Sequence, residues 1–143
     1  MTLKVKLDEG AKMPTKAHDT DAGFDLYSRE NKYIPTGTSE VFDTGVHIEI
    51  PKGYVGFIKS KSGLNVNHNI VSEGVIDSGY TGSIVVKLYN HSPSLSYPGY
   101  HVNAGDKISQ IVFLPIPEVE FEQVDEFLEI TERGDNGFGS SGR

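Results

Sequence analysis

Gly74-Val75-Ile76-Asp77-Ser78-Gly79-Tyr80-Thr81-Gly82 is the stretch around which the chain is organised. Apolar residues lead into it at Ile70 and Val71, and out of it at Ile84, Val85, Val86 and Leu88. Two β-prone runs joined by Gly, Ser and Asp predict a hairpin. Its glycines permit positive φ and leave backbone uncovered by side chains. Asp77 and Tyr80 stand at the turn. Such a turn can offer backbone N–H and C=O groups to a flat polar ligand, with an acid and a ring fixed beside it. It can equally be a β-turn with a capping Asp and a packing Tyr. The stretch alone leaves both readings open.

Outward from it, the chain reads as strands. Leu3-Lys4-Val5-Lys6-Leu7 and Val46-His47-Ile48-Glu49-Ile50 alternate apolar and polar residues, the pattern of half-buried strands. Phe24 and Leu26 alternate within residues 21–28. Pro35 with Gly37, and Lys52 with Gly53, mark turns, the second before a strand from Tyr54 to Ile58. Residues 60–69 break the pattern and hold the best candidate for a short helix. Strands are also expected at Ser83–Asn90 and, after a Gly105-Asp106 turn, at Lys107–Ile116, the longest apolar run. Residues 91–99, with two prolines and three serines, predict a surface loop. Val119 and Phe121 alternate with Glu118, Glu120 and Glu122. No repeat and no dividing linker is visible. Many short strands at regular spacing predict one all-β unit over residues 1–143, a jelly-roll-like sandwich or barrel. The glycine- and serine-rich end, 132–143, is expected to be a mobile arm.

Composition narrows the partners. A chain of 143 residues can bury a real core. It has no cysteine, so neither disulfides nor a thiolate–zinc framework is possible. That suits a reducing compartment, and the cytoplasm is the expected location, or a host cytoplasm for a viral protein. A formal net charge of −7 argues against general binding to nucleic acid or anionic membranes. No run approaches the ~20 apolar residues that span a bilayer, and Met1–Lys6 lacks the apolar core of a signal peptide.

Five segments place glycine beside polar or charged residues at a strand end: 22–28, 60–64, 74–82, 105–110 and 133–142. Gly139-Ser140-Ser141-Gly142 has the composition to wrap backbone amides around phosphate oxygens. Arg133 and Phe138 add a cation and a ring, which suits a lid closing over a phosphorylated aromatic ligand. In content, order and spacing these segments resemble the five motifs of the trimeric dUTP pyrophosphatases, the dUTPases. The matches are Ala22-Gly23-Phe24-Asp25-Leu26; Lys61-Ser62-Gly63-Leu64; residues 74–82; Gly105-Asp106-Lys107-Ile108-Ser109-Gln110; and Arg133 to Gly142. The resemblance spans essentially the whole chain.

The resemblance implies hydrolysis of dUTP to dUMP and pyrophosphate, which keeps uracil out of DNA and supplies dUMP for dTMP synthesis. It implies Asp77 as the general base for water attacking the α-phosphorus in line. Tyr80 would pack on the deoxyribose and exclude a 2′-hydroxyl, while the backbone at Gly74 and Ile76 reads the uracil edge. Lys61, Ser62 and the Gly63 amide would hold the phosphate chain, and Gln110 the α-phosphate region. Phe138 would stack on uracil, with Arg133, Gly139, Ser140 and Ser141 around the γ-phosphate. Mg²⁺ would be held by triphosphate oxygens and waters, not by a protein cage, with Asp25 as an acid near that network. A homotrimer with sites shared between subunits follows from the resemblance alone.

The chain departs from the family pattern in three places. Lys61 stands where Arg is usual and loses the planar bidentate fork. Gly79 stands where an acid is common, and Asp135-Asn136 where glycine is frequent. Two rival readings remain. The dCTP deaminases share the fold and a similar hairpin, but their catalytic Glu aligns with Lys87, which cannot serve as that carboxylate. A non-catalytic jelly-roll module would not need Asp77, Ser62, Gln110 and Phe138 together. For single residues, Asp25 could cap a turn, Ser62 could be a helix N-cap and Gln110 could simply face outward. His18, His47, His68, His91 and His101 lack metal-ligand spacing and read as structural.

Overall fold

Alternating side chains become strands wherever one face can be buried. In the segment Val85–Asn90, every second residue (Val86, Leu88, Asn90) is buried and the others face out. The computed structural model describes residues 1–93 and 99–137. Among them the strands are β1 (Lys4–Leu7), β2 (Phe24–Tyr27), β3 (Lys32–Ile34), β4 (Ser39–Asp43), β5 (Val46–Glu49) and β6 (Tyr54–Lys59). After the helix α1 (Ser62–His68) come β7 (Ile70–Val71), β8 (Glu73–Ile76), β9 (Val85–Asn90), β10 (Tyr100–Val102) and β11 (Lys107–Pro115). The all-β reading with one short helix is borne out. No helix among the described residues is long and apolar enough to cross a membrane.

A four-stranded sheet runs β2-β11-β6-β8 and a three-stranded sheet runs β4-β9-β7, while β1–β5 and β3–β10 form ribbons. Every pairing is antiparallel. Leu26, Ile58, Ile108 and Ile111 of the larger sheet meet Phe42, Ile70, Val86 and Leu88 of the smaller one in one buried core, closed by Ile34, Val46, Ile48 and Val102. Gly56 lies where a Cβ would come within 2.9 Å of Ile111 Cδ1 and 3.1 Å of Ile50 Cδ1, so a side chain there would displace both isoleucine tips in the core.

The stretch from Ile70 to Asn90 is not a simple hairpin. β7 pairs with β9, Ile70 opposite Asn90, but β8 leaves that sheet and pairs with β6, Ile76 opposite Gly56. The crossing point is Ser72, buried and held by hydroxyls. Its N–H donates to Ser60 Oγ at 2.9 Å, its carbonyl accepts from the same hydroxyl at 3.1 Å, and its Oγ lies 2.9 Å from Ser109 Oγ. Those bonds replace the ladder bonds a continuous hairpin would make. The outgoing strand accordingly starts at Val85, later than expected.

Three other expectations change. β3, β4 and β10 are strands that short, poorly alternating sequence did not announce. The alternation at Val119 and Phe121 makes no strand in the single chain, and Phe121 is fully exposed. Ser62 does not cap α1; the cap position is Lys61, with extended backbone and no capping side chain.

Candidate active site

The phosphate-type residues gather at one end of the larger sheet. Register places Gln110 opposite Asp25 on one side and Lys59 on the other. Gln110 Nε2 donates to the Ser60 carbonyl at 3.0 Å. A Cβ on Gly23 would collide with the Gln110 carboxamide, so glycine there leaves room for that side chain. Asp25 is buried, and its carboxylate accepts from two ammonium groups: Lys61 on Oδ1, and Lys107 on Oδ2 at 2.7 Å. Lys107 reaches it across a register shift between Lys107 and Ser109, where β11 bulges against β2. Ser62 and Gly63 open α1 in the exposed first turn, where the cap residue Lys61 makes no side-chain hydrogen bond to the backbone N–H groups.

Burial opposes the Asp25 charge, but the hydrogen bonds from Lys107 and Lys61 outweigh it and hold the carboxyl below the ordinary carboxylate value. The same pairing raises Lys107. A lowered carboxyl pKa stabilises the fold above the ordinary value, and that stability is lost as pH falls through the lowered one. We expect Asp25→Asn to cost about 2 kcal/mol of stability at pH 7. In urea unfolding the gap to wild type should narrow below about pH 4. A gap that is constant with pH would show that the two lysines do not hold the charge.

The second cluster lies on β8, the edge strand of the larger sheet, and the loop after it. Gly74 and Ile76 lie on β8, and Asp77 follows directly. Gly79 has φ +84°, and the Tyr80 N–H donates to the Asp77 carbonyl at 3.3 Å, which closes the turn. The Tyr80 hydroxyl donates to the Ser83 carbonyl at 3.0 Å, and its ring lies where a Cβ on Gly82 would be. Val75, Ile76, Asp77, Tyr80, Ser83 and Val85 line a cleft of about 190 Å³.

The two clusters do not meet within one chain. β8 runs antiparallel to β6, so Asp77 follows the residue opposite Gly56, whereas Asp25 and Gln110 align with Lys59 at the far end of β6. Counting strand rise and strand spacing, Asp77 lies on the order of 15–20 Å from Asp25 and Gln110. Arg133 joins neither cluster: its Nε donates to the Asn136 carbonyl at 3.0 Å in an exposed turn. Phe138, Gly139, Ser140 and Ser141 lie outside the described residues.

Lys107 is the group that sequence reasoning passed over. Its signal was present, a cation on the strand facing that of Asp25, but without a register the pairing could not be drawn. Among the described residues no three acidic, His or Cys side chains cluster to hold a metal ion. Asp25 is the carboxylate of the phosphate-type cluster, and two lysines already share it.

An all-β fold with a cation-and-amide cluster at one sheet end, and an acid, a ring and an open strand edge at the other, has the chemistry to bind a flat polar ligand that carries phosphates. The family model described as dUTPase matches residues 9–142. The deoxyuridine 5'-triphosphate nucleotidohydrolase of Clostridium tetani (strain Massachusetts / E88) is 41% identical over 146 residues, covering 99% of this chain and 97% of that protein. The Staphylococcus bacteriophage 80alpha dUTPase, solved with dUPNHPP, superposes with a TM-score of 0.93 at 34% identity, with 99% of each chain covered. A mutant dUTPase from phage phi11 of S. aureus, described for the coordination of a structural Mg(II) ion, gives 0.83 at 33% identity, covering 90% of this chain and 100% of that one. The chain belongs to the dUTPase family, and the resemblance carried by the five motifs is borne out.

Proposed function

We propose that this enzyme hydrolyses dUTP to dUMP and pyrophosphate, with Asp77 as the general base. Asp77 takes a proton from a water, the water oxygen attacks the α-phosphorus, and the bond to the bridging oxygen breaks in line to release pyrophosphate. The observation that carries the reading is the division of chemistry between the sheet ends. An acid and a ring flank an open strand edge at one, and cations and uncapped amides collect at the other. The edge of β8 at Gly74 and Ile76 reads uracil through backbone groups. Cytosine presents a donor where uracil presents an acceptor, and such mispairing discriminates by about 10⁴-fold or more. Lys61, Ser62, Gly63 and Gln110 hold the phosphates. Arg133, Phe138, Gly139, Ser140 and Ser141 complete the site as the closing arm of residues 132–143.

The donor set fits Mg²⁺ bound through triphosphate oxygens and waters rather than by a protein cage, and Asp25 is the carboxylate that would face that network. When bound it would offset phosphate charge, which Lys61 and the amides of Ser62 and Gly63 also do. Product dUMP supplies dTMP synthesis, and removal of dUTP keeps uracil out of DNA. The working compartment is the cytoplasm, or a host's, as the absence of cysteine suits. The direct test is pyrophosphate release from dUTP, dCTP and dTTP; equal rates on dCTP would overturn the base reading.

The assembly is a homotrimer with sites shared between chains. The 15–20 Å between the clusters of one chain supports this, because one triphosphate's reacting phosphorus must touch both sets. Two surfaces support it as well. Phe121, Phe127, Leu128 and Ile130 stand almost fully exposed after β11. An apolar groove of about 460 Å³, lined by Leu3, Val5, Met13, Phe24, Ile111 and Phe113 among others, lies open. Large exposed apolar surface marks chain–chain contact.

Tyr80 sets sugar choice in this reading. Tyr80→Ala should lower the ratio of kcat/KM for dUTP over UTP by about tenfold or more, the scale of one lost packing contact. An unchanged ratio would assign Tyr80 to packing alone.

A further inference from the structure

His47 on β5 has both ring nitrogens engaged. Nδ1 lies 2.7 Å from the Thr81 carbonyl oxygen and Nε2 lies 3.1 Å from Asp8 Oδ2. A backbone carbonyl and an ionised carboxylate can only accept. A neutral imidazole carries a single N–H, so both contacts are hydrogen bonds only when the ring is doubly protonated. Thr81 is the residue after Tyr80, in the loop that carries Asp77.

We propose that a charged His47 is a positioning residue: it ties the outgoing leg of the 77–82 loop to Asp8, and dUTP affinity falls when it loses its proton. The proposal rests on the reading of that loop as the uracil and sugar site, and deepens it. Two fixed points hold the leg. Asp43 accepts from the Ser83 hydroxyl and pairs with Arg29 Nη2 at 2.9 Å, and the Ser83 hydrogen bond, first among its contacts, holds the Asp43 carboxyl below the ordinary value. His47 supplies the other, and it can be released.

The surroundings set when that happens. The Thr81 carbonyl first, then Asp8, raise the ring above the ordinary histidine value, while partial burial and Lys6 act against them. Lys6 faces His47 in register on β1, Asp43 adds negative charge from the end of β4, and Lys4 and Glu49 pair with each other two positions along. A raised pKa means the clamp is complete below about pH 6.5 and is lost as pH rises through the raised value.

The test uses the full-length enzyme. In ¹H–¹⁵N spectra of the histidine rings we expect His47 to carry protons on both nitrogens predominantly at pH 6.5, the ordinary histidine value. A singly protonated ring at that pH would overturn the proposal whatever the loop does. In steady-state assays, wild-type KM for dUTP should rise about tenfold as His47 deprotonates, with kcat nearly constant, the scale of one charge-assisted hydrogen bond. His47→Asn can still donate to the Thr81 carbonyl but has no titratable proton, so that step should vanish from its KM profile. This variant also removes the contribution of the substrate's own ionisation from the comparison. His47→Leu should show the raised KM at every pH. Persistence of the step in His47→Asn, or a wild-type KM in His47→Leu, would overturn the proposal. If His47→Leu does not fold, the ring spectra and His47→Asn decide. Failure of the loop reading itself would show separately, as an unchanged sugar preference in Tyr80→Ala with the His47 ring still doubly protonated.

Discussion

Asp77→Asn should turn over dUTP ~10²–10⁴-fold more slowly than wild type, the usual contribution of a positioned general base. The amide has the size of the carboxylate but cannot take the proton of the attacking water. Asp77 is exposed at the end of β8, and its side chain takes part in no hydrogen bond or ion pair described for the fold, so the variant should fold normally. Binding of a non-hydrolysable dUTP analogue should be largely kept, because the edge of β8 and Tyr80 are untouched. Calorimetry with the analogue and single-turnover kinetics separate the two effects. More than about a tenth of wild-type turnover would exclude Asp77 as the base.

The second large effect is a recovery. Truncation after Glu132 removes the arm with Arg133 and Phe138, and such trimers should be inactive, as Asp77→Asn trimers should be. Refolded together, the two variants should regain dUTP hydrolysis. In the shared-site trimer one chain supplies Asp25, Ser62 and Gln110, a second supplies Asp77, and the third supplies its arm. Any mixed trimer then contains one site with an intact Asp77 from one chain and an intact arm from another. If base and arm came from the same chain, every site would lack one of them. Native mass spectrometry establishes that mixed trimers form; persistent inactivity in them would rule out the shared site.

Much of the strand pattern is legible in the sequence alone. Val5 and Ile48 announce their strands because polar residues alternate with them, and Val86 and Leu88 because they lie in a β-prone apolar run. The site motifs were legible because phosphates and bases are held by backbone, and backbone is bare only where glycine stands beside polar residues. What stayed hidden depended on contacts distant in sequence. The sheet change at Ser72 needs hydroxyls from Ser60 and Ser109, which no local pattern reveals. Lys107 belongs to Asp25 only through the β2–β11 register. His47 alternates as a strand residue should, so nothing local marks its tie to Thr81. The strand pattern at Val119 and Phe121 lacks, within one chain, the partner that alternation requires.

The distance between the two halves of chemistry on each chain has a consequence for how the enzyme is made. A newly synthesised polypeptide, on the shared-site reading, carries every group the reaction needs, yet holds them too far apart for one reacting phosphorus to touch both sets. On the shared-site reading, folding alone yields no hydrolase; only encounter with sister chains does. Specific activity then depends on how much protein is present, and damage confined to a contact surface silences catalysis without altering a reacting residue.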